Sequence, residues 1–254
     1  MGGSSEINKM KQLTLFGEDM GEITYNRGKR DVFYDYEHFV KKFKEKGYKQ
    51  TTDDCYTPKE VYAAILEWVG ERVSLSGRPI VRPFYPGVDY KNAEYPDECV
   101  VVDNPPFSIL AEICRFYLAR KIDFFLFGPG LTLFQDNEVQ FVIIDVSITY
   151  HNGAEIPTGF ITTLFGGRKL ILSRSLSDKL REMQGKPRKE RKKEEHVPYI
   201  TSATARKYIK QLTGDVRLDI SSEKFLRKNA NGGDIFGCGY ILTDEQWKEI
   251  GEVT

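Results

Sequence analysis

The chain has 254 residues, enough for one large domain or one domain with an appendage, and its 37 Lys plus Arg equal its 37 Asp plus Glu, so any basic surface has to come from local clustering. The cysteines Cys55, Cys99, Cys114 and Cys238 and the histidines His38, His151 and His196 are scattered, with no CxxC pair. That weighs against a structural zinc site or a disulfide framework and indicates a reduced, intracellular protein. No apolar run approaches bilayer-spanning length and no signal peptide opens the sequence.

Met1–Ser5, small and rich in Gly and Ser, is set aside from the fold, and the first fifty residues read as an extension. Within it, Phe39, Val40 and Phe43 recur at helical spacing, predicting a helix over Tyr36–Lys46 with Gly47 as its C-cap. Tyr56-Thr57-Pro58 opens a stronger helix: Thr57 can cap it, Pro58 suits the first helical position and Glu60 completes a capping box. Val61, Ile65, Leu66 and Val69 supply its buried stripe. Pro79–Phe84 is a short strand candidate that runs into Tyr85-Pro86-Gly87.

The most informative stretch is Cys99–Ser108. Val100–Val102 is a β-branched run suited to a buried strand, and Asn104-Pro105-Pro106-Phe107 falls where that strand meets a loop. In an open α/β sheet, ligands bind beyond the carboxyl ends of the strands, and an amide, two rigid prolines and an aromatic ring there shape a pocket for a flat, polar molecule. The plainer alternative is a strand that stops at a Pro-Pro turn. Ile109–Lys121 reads as an amphipathic helix with Leu110, Ile113, Cys114 and Tyr117 on one face, and Ile122–Phe127 as a second apolar strand closed by Gly128-Pro129-Gly130. This order indicates a doubly wound, mostly parallel sheet. Gln140–Tyr150 and Gly159–Phe165, joined through Asn152-Gly153, predict a terminal antiparallel hairpin.

After the hairpin, Arg168, Lys169, Arg174, Lys179 and Arg181 form a basic segment, and Arg188, Lys189, Arg191, Lys192 and Lys193 lie in the charged run Lys186–Glu195. They read either as phosphate contacts or as solvated surface. Thr201–Leu212 predicts a helix, Ile235–Leu242 a strand, and Thr243–Ile250 a last helix with a Thr243–Gln246 capping box.

Together these pieces resemble the N6-adenine DNA methyltransferases, and more closely their small phage-type and EcoRI-type members, over roughly residues 51–166. Asn104-Pro105-Pro106-Phe107 is similar to that family's catalytic loop, Tyr56-Thr57-Pro58 to the motif preceding its cofactor-binding strand, and Pro83-Phe84-Tyr85-Pro86-Gly87 in part to its cofactor loop. The resemblance implies a Rossmann-like fold with a reversed last strand, and S-adenosylmethionine-dependent methylation of adenine in DNA. It further implies the cytoplasm of a bacterial or phage-infected cell, and no metal. It divides the chain into an extension (1–50), a methyltransferase-like core (51–167) and a C-terminal region for target recognition (168–254). In the implied chemistry Asn104 and the Pro105 carbonyl accept hydrogen bonds from the adenine amino group, Pro106 stiffens the loop, and Phe107 stacks on a base drawn out of the duplex. Tyr56, Thr57, Pro58, Phe84, Gly87, Asp89 and Asp103 are the implied cofactor contacts, and Arg168, Lys169, Arg174, Arg188 and Lys189 the implied DNA contacts. Separately, Gln12-Leu13-Thr14-Leu15-Phe16 resembles the pentapeptide by which bacterial DNA-processing proteins dock on the replication sliding clamp; a chance amphipathic strand is the alternative.

The sequence departs from the family at the cofactor loop. Arg82 stands where an acid is usual, and Gly87 is the only nearby glycine. Too few residues separate it from Val100 for the acid-bearing strand–helix unit that holds the ribose, a unit of about thirty residues. Asp89 and Asp103 are the available substitutes. Two further readings stand beside an active DNA methyltransferase: a nucleic-acid-binding relative without the cofactor, and methylation of another planar amide or amine such as a protein glutamine.

Overall fold

The computed structural model describes residues 10–13, 19–24, 56–84, 89–136, 138–188, 199–228 and 232–252, the first two segments by backbone alone. The expected helix over Tyr36–Lys46, the peptide residues Thr14–Phe16, and Gly87, Lys189, Arg191, Lys192 and Lys193 lie outside them. In chain order the strands are β1 (Met10–Leu13), β2 (Asp19–Thr24), β3 (Ile80–Val81), β4 (Val100–Asp103), β5 (Asp123–Pro129), β6 (Gln140–Thr149), β7 (Glu155–Thr162), β8 (Lys169–Leu172), β9 (Tyr199–Ile200), β10 (Val216–Asp219), β11 (Phe225–Lys228) and β12 (Asp234–Ile241). The helices are α1 (Lys59–Gly70), α2 (Leu110–Arg120), α3 (Arg174–Met183), α4 (Ser202–Ile209) and α5 (Asp244–Glu252).

A nine-stranded mixed sheet takes the order β1-β2-β3-β4-β5-β7-β6-β8-β10, and a three-stranded sheet takes β11-β12-β9. Strands β2 to β5 pair in parallel, as do β6 and β8. Strand β7 runs antiparallel to both β5 and β6. The expected hairpin therefore forms, with Gly153 in the left-handed region its turn requires (φ 80°). It does not end the sheet, because β8 and β10 add beyond β6. Residue 168 thus marks no break, since Lys169–Leu172 and Val216–Asp219 both contribute strands to the same sheet.

The apolar alternation of the strands builds two cores. Val100 and Val102 face α1 and α3, together with Val61, Ile65, Leu66, Val69, Leu176 and Leu180. Val101 faces the opposite side, where Ile113, Cys114 and Tyr117 of α2 pack with Ala205 and Ile209 of α4 and Ile250 of α5. All three valines of β4 are fully buried, so the strand has helices on both faces, as a continuous apolar run requires. Each buried valine contributes about 1.5–3 kcal/mol relative to exposure.

The connection from β3 to β4 is parallel, yet among its described residues it contains only a single 3₁₀ turn, Tyr90–Asn92. Strands β3 and β4 are direct neighbours, as the short spacing implied; the place beside β3 on its other edge is taken by β2, which comes from the N-terminal extension.

Candidate functional site

The carboxyl ends of β3, β4 and β5 lie on one edge of the sheet, because the three strands are parallel and in register (Val81 opposite Val101, Asp103 opposite Leu126). Helix α1 starts at this edge: the Tyr62 hydroxyl donates to the Val102 carbonyl at 3.0 Å. The Tyr56 carbonyl accepts from the His151 amide at 3.0 Å, so the segment leading into α1 is tied to the β6–β7 turn. The edge thus brings together Tyr56, Thr57 and Pro58, the loop after β3, and Asn104-Pro105-Pro106-Phe107, all of them sequence-derived candidates.

Asn104, Pro106 and Phe107 are half-buried and Pro105 is buried. The chain turns through a short 3₁₀ segment, Phe107–Ile109, directly into α2. Phe107 packs against the core on the α1 side. The expected capping box at Thr57 does not form: Pro58 is the N-cap residue and α1 has no side-chain cap. The Thr57 hydroxyl is instead buried and makes no hydrogen bond, and the Tyr56 hydroxyl and the Asn104 side-chain oxygen Oδ1 are buried at the same edge. Buried polar atoms are usually paired, and a buried hydroxyl that departs from the rule, on an edge that also carries a second buried hydroxyl and a buried amide oxygen, suits a polar ligand.

Asp103, the last residue of β4, is 2 % exposed. Its Oδ1 accepts from Arg82 Nε and Nη2, both at 3.3 Å, and its Oδ2 accepts from the Phe84 amide at 2.9 Å. The Arg82 guanidinium also lies 3.8 Å above the Tyr62 ring. Burial raises the Asp103 pKa, while Arg82 and the hydrogen bonds from Phe84 and Asn104 oppose the rise. The group fastens the loop after β3 to the start of the Asn104 loop. Asp89 is an N-cap: its carboxylate accepts from the Lys91 amide and from Asn92 Nδ2, each at 2.9 Å. Both candidate substitutes for the missing ribose acid are therefore engaged within the chain. Phe84 places its ring against Tyr90 and Tyr117, at centroid distances of 5.5 and 6.4 Å.

The basic segment after the hairpin is drawn into the fold. Arg174 is 5 % exposed and pairs with Asp178. Arg181 bonds Asp145 at 2.7 Å, Lys179 bonds Glu67 at 2.7 Å, and Lys169 pairs with Asp219 across β8–β10. Arg168 Nη2 donates to the Tyr240 hydroxyl at 3.0 Å, with Asp136 at 3.7 Å. The assignment of Arg174 to a DNA surface is corrected by its burial, and Arg168 and Lys169 hold the fold's own partners. Arg188 is exposed and donates to the Lys210 carbonyl at 3.1 Å.

Sequence reading missed Tyr62, whose i, i+3 spacing from Lys59 marks nothing, and the pairing of Arg82 with Asp103, which only the β3–β4 register reveals. Cys114 is no nucleophile: burial pushes its thiol up to about 12. Among the described residues no group of His, Cys, Asp and Glu could hold a metal, and no helix is long and apolar enough to cross a membrane. No family model, no curated protein and no solved structure matches this chain.

Proposed function

We propose that the protein transfers a methyl group from S-adenosylmethionine to the N6 amino group of adenine in DNA. The observation that carries this reading is the placement of Asn104-Pro105-Pro106-Phe107 at the carboxyl end of a fully buried parallel strand, with Asn104 Oδ1 buried at the edge that also holds the Thr57 hydroxyl. The reversed strand β7, lying between β5 and β6, supports this reading, although β8 and β10 extend the sheet past the hairpin, which the resemblance makes terminal.

An adenine amino nitrogen is a poor nucleophile because its lone pair is delocalised into the ring. Acceptors held at fixed positions for both N–H groups favour the tetrahedral nitrogen that attacks a sulfonium methyl; the N–C bond would form as the S–C bond breaks, the cofactor would leave as its neutral thioether, and the surplus amino proton would pass to solvent. Asn104 Oδ1 and the Pro105 carbonyl are the two acceptors, and the two prolines keep them preorganised. Phe107 offers its half-buried ring to the base. The Thr57 hydroxyl, buried and without a hydrogen bond, fits the methionine end of the cofactor, with Tyr56 next to it in the chain. The adenosine end has less support, with Asp103 and Asp89 already engaged.

That last observation favours one competing reading, a nucleic-acid-binding relative that has lost the cofactor. Titration calorimetry with S-adenosylmethionine, with and without duplex, separates the two. The enzyme reading expects a dissociation constant near or above about a micromolar for the free protein, which is less than roughly 8 kcal/mol, tightened by duplex. Absence of binding under both conditions, with DNA binding retained, favours the relative. In a radiolabelled-methyl assay on adenine-containing duplex, Asn104→Ala should lower transfer by about a hundredfold to a thousandfold while leaving the melting transition in place. Near-wild-type transfer by that variant would remove the loop from the mechanism.

A further inference from the structure

Five large apolar side chains are notably exposed among the described residues, and three of them, Ile109 (38 %), Leu131 (39 %) and Phe236 (66 %), belong to segments that meet at one sheet edge. Ile109 ends the catalytic-loop turn. Leu131 follows the end of β5, and the adjacent Leu133 and Leu110 both crowd Gly128 of that strand: a Cβ there would stand 2.5 Å from Leu133 Cδ1 and 2.9 Å from Leu110 Cδ2. Phe236 lies on β12 beside a left-handed pair, Gly237 (φ 76°) and Cys238 (φ 57°), at the irregular part of the β11–β12 pairing. Gly237 lets β12 come against the Leu131 loop, where a Cβ would stand 2.5 Å from the Leu131 carbonyl oxygen. The fold therefore brings an outward-facing Phe236 to the segment that continues the edge holding Asn104.

We infer that Phe236, with Leu131 beside it, is a contact for DNA, the ring stacking on a base next to the one bound at Asn104 while Arg227 and Lys228 of the neighbouring strand β11 meet phosphates. The inference rests on the proposed activity for the position of the target base. The chemistry favours a nucleic acid over a protein. Three side chains fall far short of the roughly 800 Å² per partner that a stable protein interface buries. A lone aromatic ring two-thirds exposed suits a base, which has a flat π-face whatever its identity. Arg227 and Lys228 are both exposed, and the Arg227 guanidinium lies 5.4 Å over the Phe225 ring, which holds it on the same hairpin. Aromatic and cationic side chains together match a polyanion with stackable bases. The sequence-derived cations Arg168, Lys169 and Arg174 are engaged elsewhere, so the hairpin takes the role that sequence alone suggests for them.

The test is fluorescence anisotropy of labelled duplex titrated with wild type, Phe236→Ala, Phe236→Trp and Arg227→Ala/Lys228→Ala over a range of salt. Phe236→Ala should weaken binding about five- to a hundredfold, Phe236→Trp should restore it, and the double variant should lower the salt slope by about one for each phosphate no longer neutralised. Thermal melts should be unchanged, as these side chains are at the surface. If wild type and Phe236→Ala bind duplex equally while wild type transfers methyl groups, the hairpin contact is wrong and the activity stands. If wild type binds no duplex at any salt, both fall. If Phe236→Ala leaves DNA binding intact but converts a sedimenting dimer to monomer, the ridge is an interface between copies of the chain and the DNA contact is refuted.

Discussion

A single side chain illustrates how the edge strands are held. Asp219 accepts from the Lys169 ammonium across the β8–β10 pairing and from the Ser221 amide at 2.9 Å. The Lys169 hydrogen bond, followed by those from Ser221, holds the Asp219 carboxyl well below the usual carboxylate range. A carboxylate whose pKa is lowered by folding stabilises the native state above its unfolded pKa, about 3.9. That stabilisation disappears as pH falls through the lower native value. Asp219→Asn should therefore be less stable than wild type near neutrality, with the gap closing in acid. The pair is exposed, so the gap is small, about 0–1 kcal/mol. Chemical denaturation of both proteins from pH 7 down to strong acid measures it, and a gap that stays constant with pH would refute the assignment. Neither residue could be paired from sequence, since fifty positions separate them and only the strand register brings them together.

At the scale of elements, what was legible was whatever repeats along the chain. Helix α2 buries Leu110, Ile113, Cys114 and Tyr117, the four residues that 3.6-residue spacing predicts. The Thr243–Gln246 capping box forms, with the Thr243 amide donating to Gln246 Oε1 at 2.9 Å and Gln246 donating back to Thr243 Oγ1 at 3.2 Å. Short strands of mixed composition were not legible. Strands β8 and β10 have four residues each and lack the continuous β-branched run that marks β4, and in β10 exposed Arg217 and Asp219 alternate with buried Val216 and Leu218. The Thr57 box failed for a different reason. Its hydroxyl is buried at the sheet edge and the helix starts without it, with Pro58 as its N-cap, so packing at the edge overrides the local capping preference. Strand β6 shows a device of the same kind. Its pairing with β7 shifts between Ile143 and Ser147, and Arg206 of α4, buried to 8 % exposure, donates through Nη1 to the carbonyls of Ile144 and Thr158. Burial pulls its pKa down to about 10, partly offset by Asp145. Arg206→Met would fill much of the volume and leave both carbonyls unpaired. At about 1–3 kcal/mol for each buried group left unsatisfied, the variant should lose about 2–6 kcal/mol in denaturant unfolding. A loss below about 1 kcal/mol would mean that other groups can satisfy the bulge.

Over the whole molecule, the sheet extends through the region assigned from sequence to target recognition, the hairpin β11–β12 comes against the loop after β5 through Gly237, and Lys186 at the end of the basic segment bonds Ser147 and Glu155 at the β6–β7 turn. The insertion of β7 between β5 and β6 also sets an order in time. Strand β7 has two partners, one close in sequence across the Tyr150–Ala154 turn and one reached only after the long span from β5, so the local pairing has less chain entropy to lose and closes first. The expected sequence is that the hairpin docks as a unit and β8 adds onto its outer strand. Gly153 exposes this order, since a Cβ there would touch nothing within 4 Å while its φ of +80° disfavours any other residue. Gly153→Ala should thus cost about 1–2 kcal/mol without disturbing packing. If the turn is formed in the transition state, stopped-flow refolding should slow about five- to thirtyfold with unfolding nearly unchanged. The opposite partition, faster unfolding at an unaltered refolding rate, would place the hairpin among the last parts of the chain to assemble.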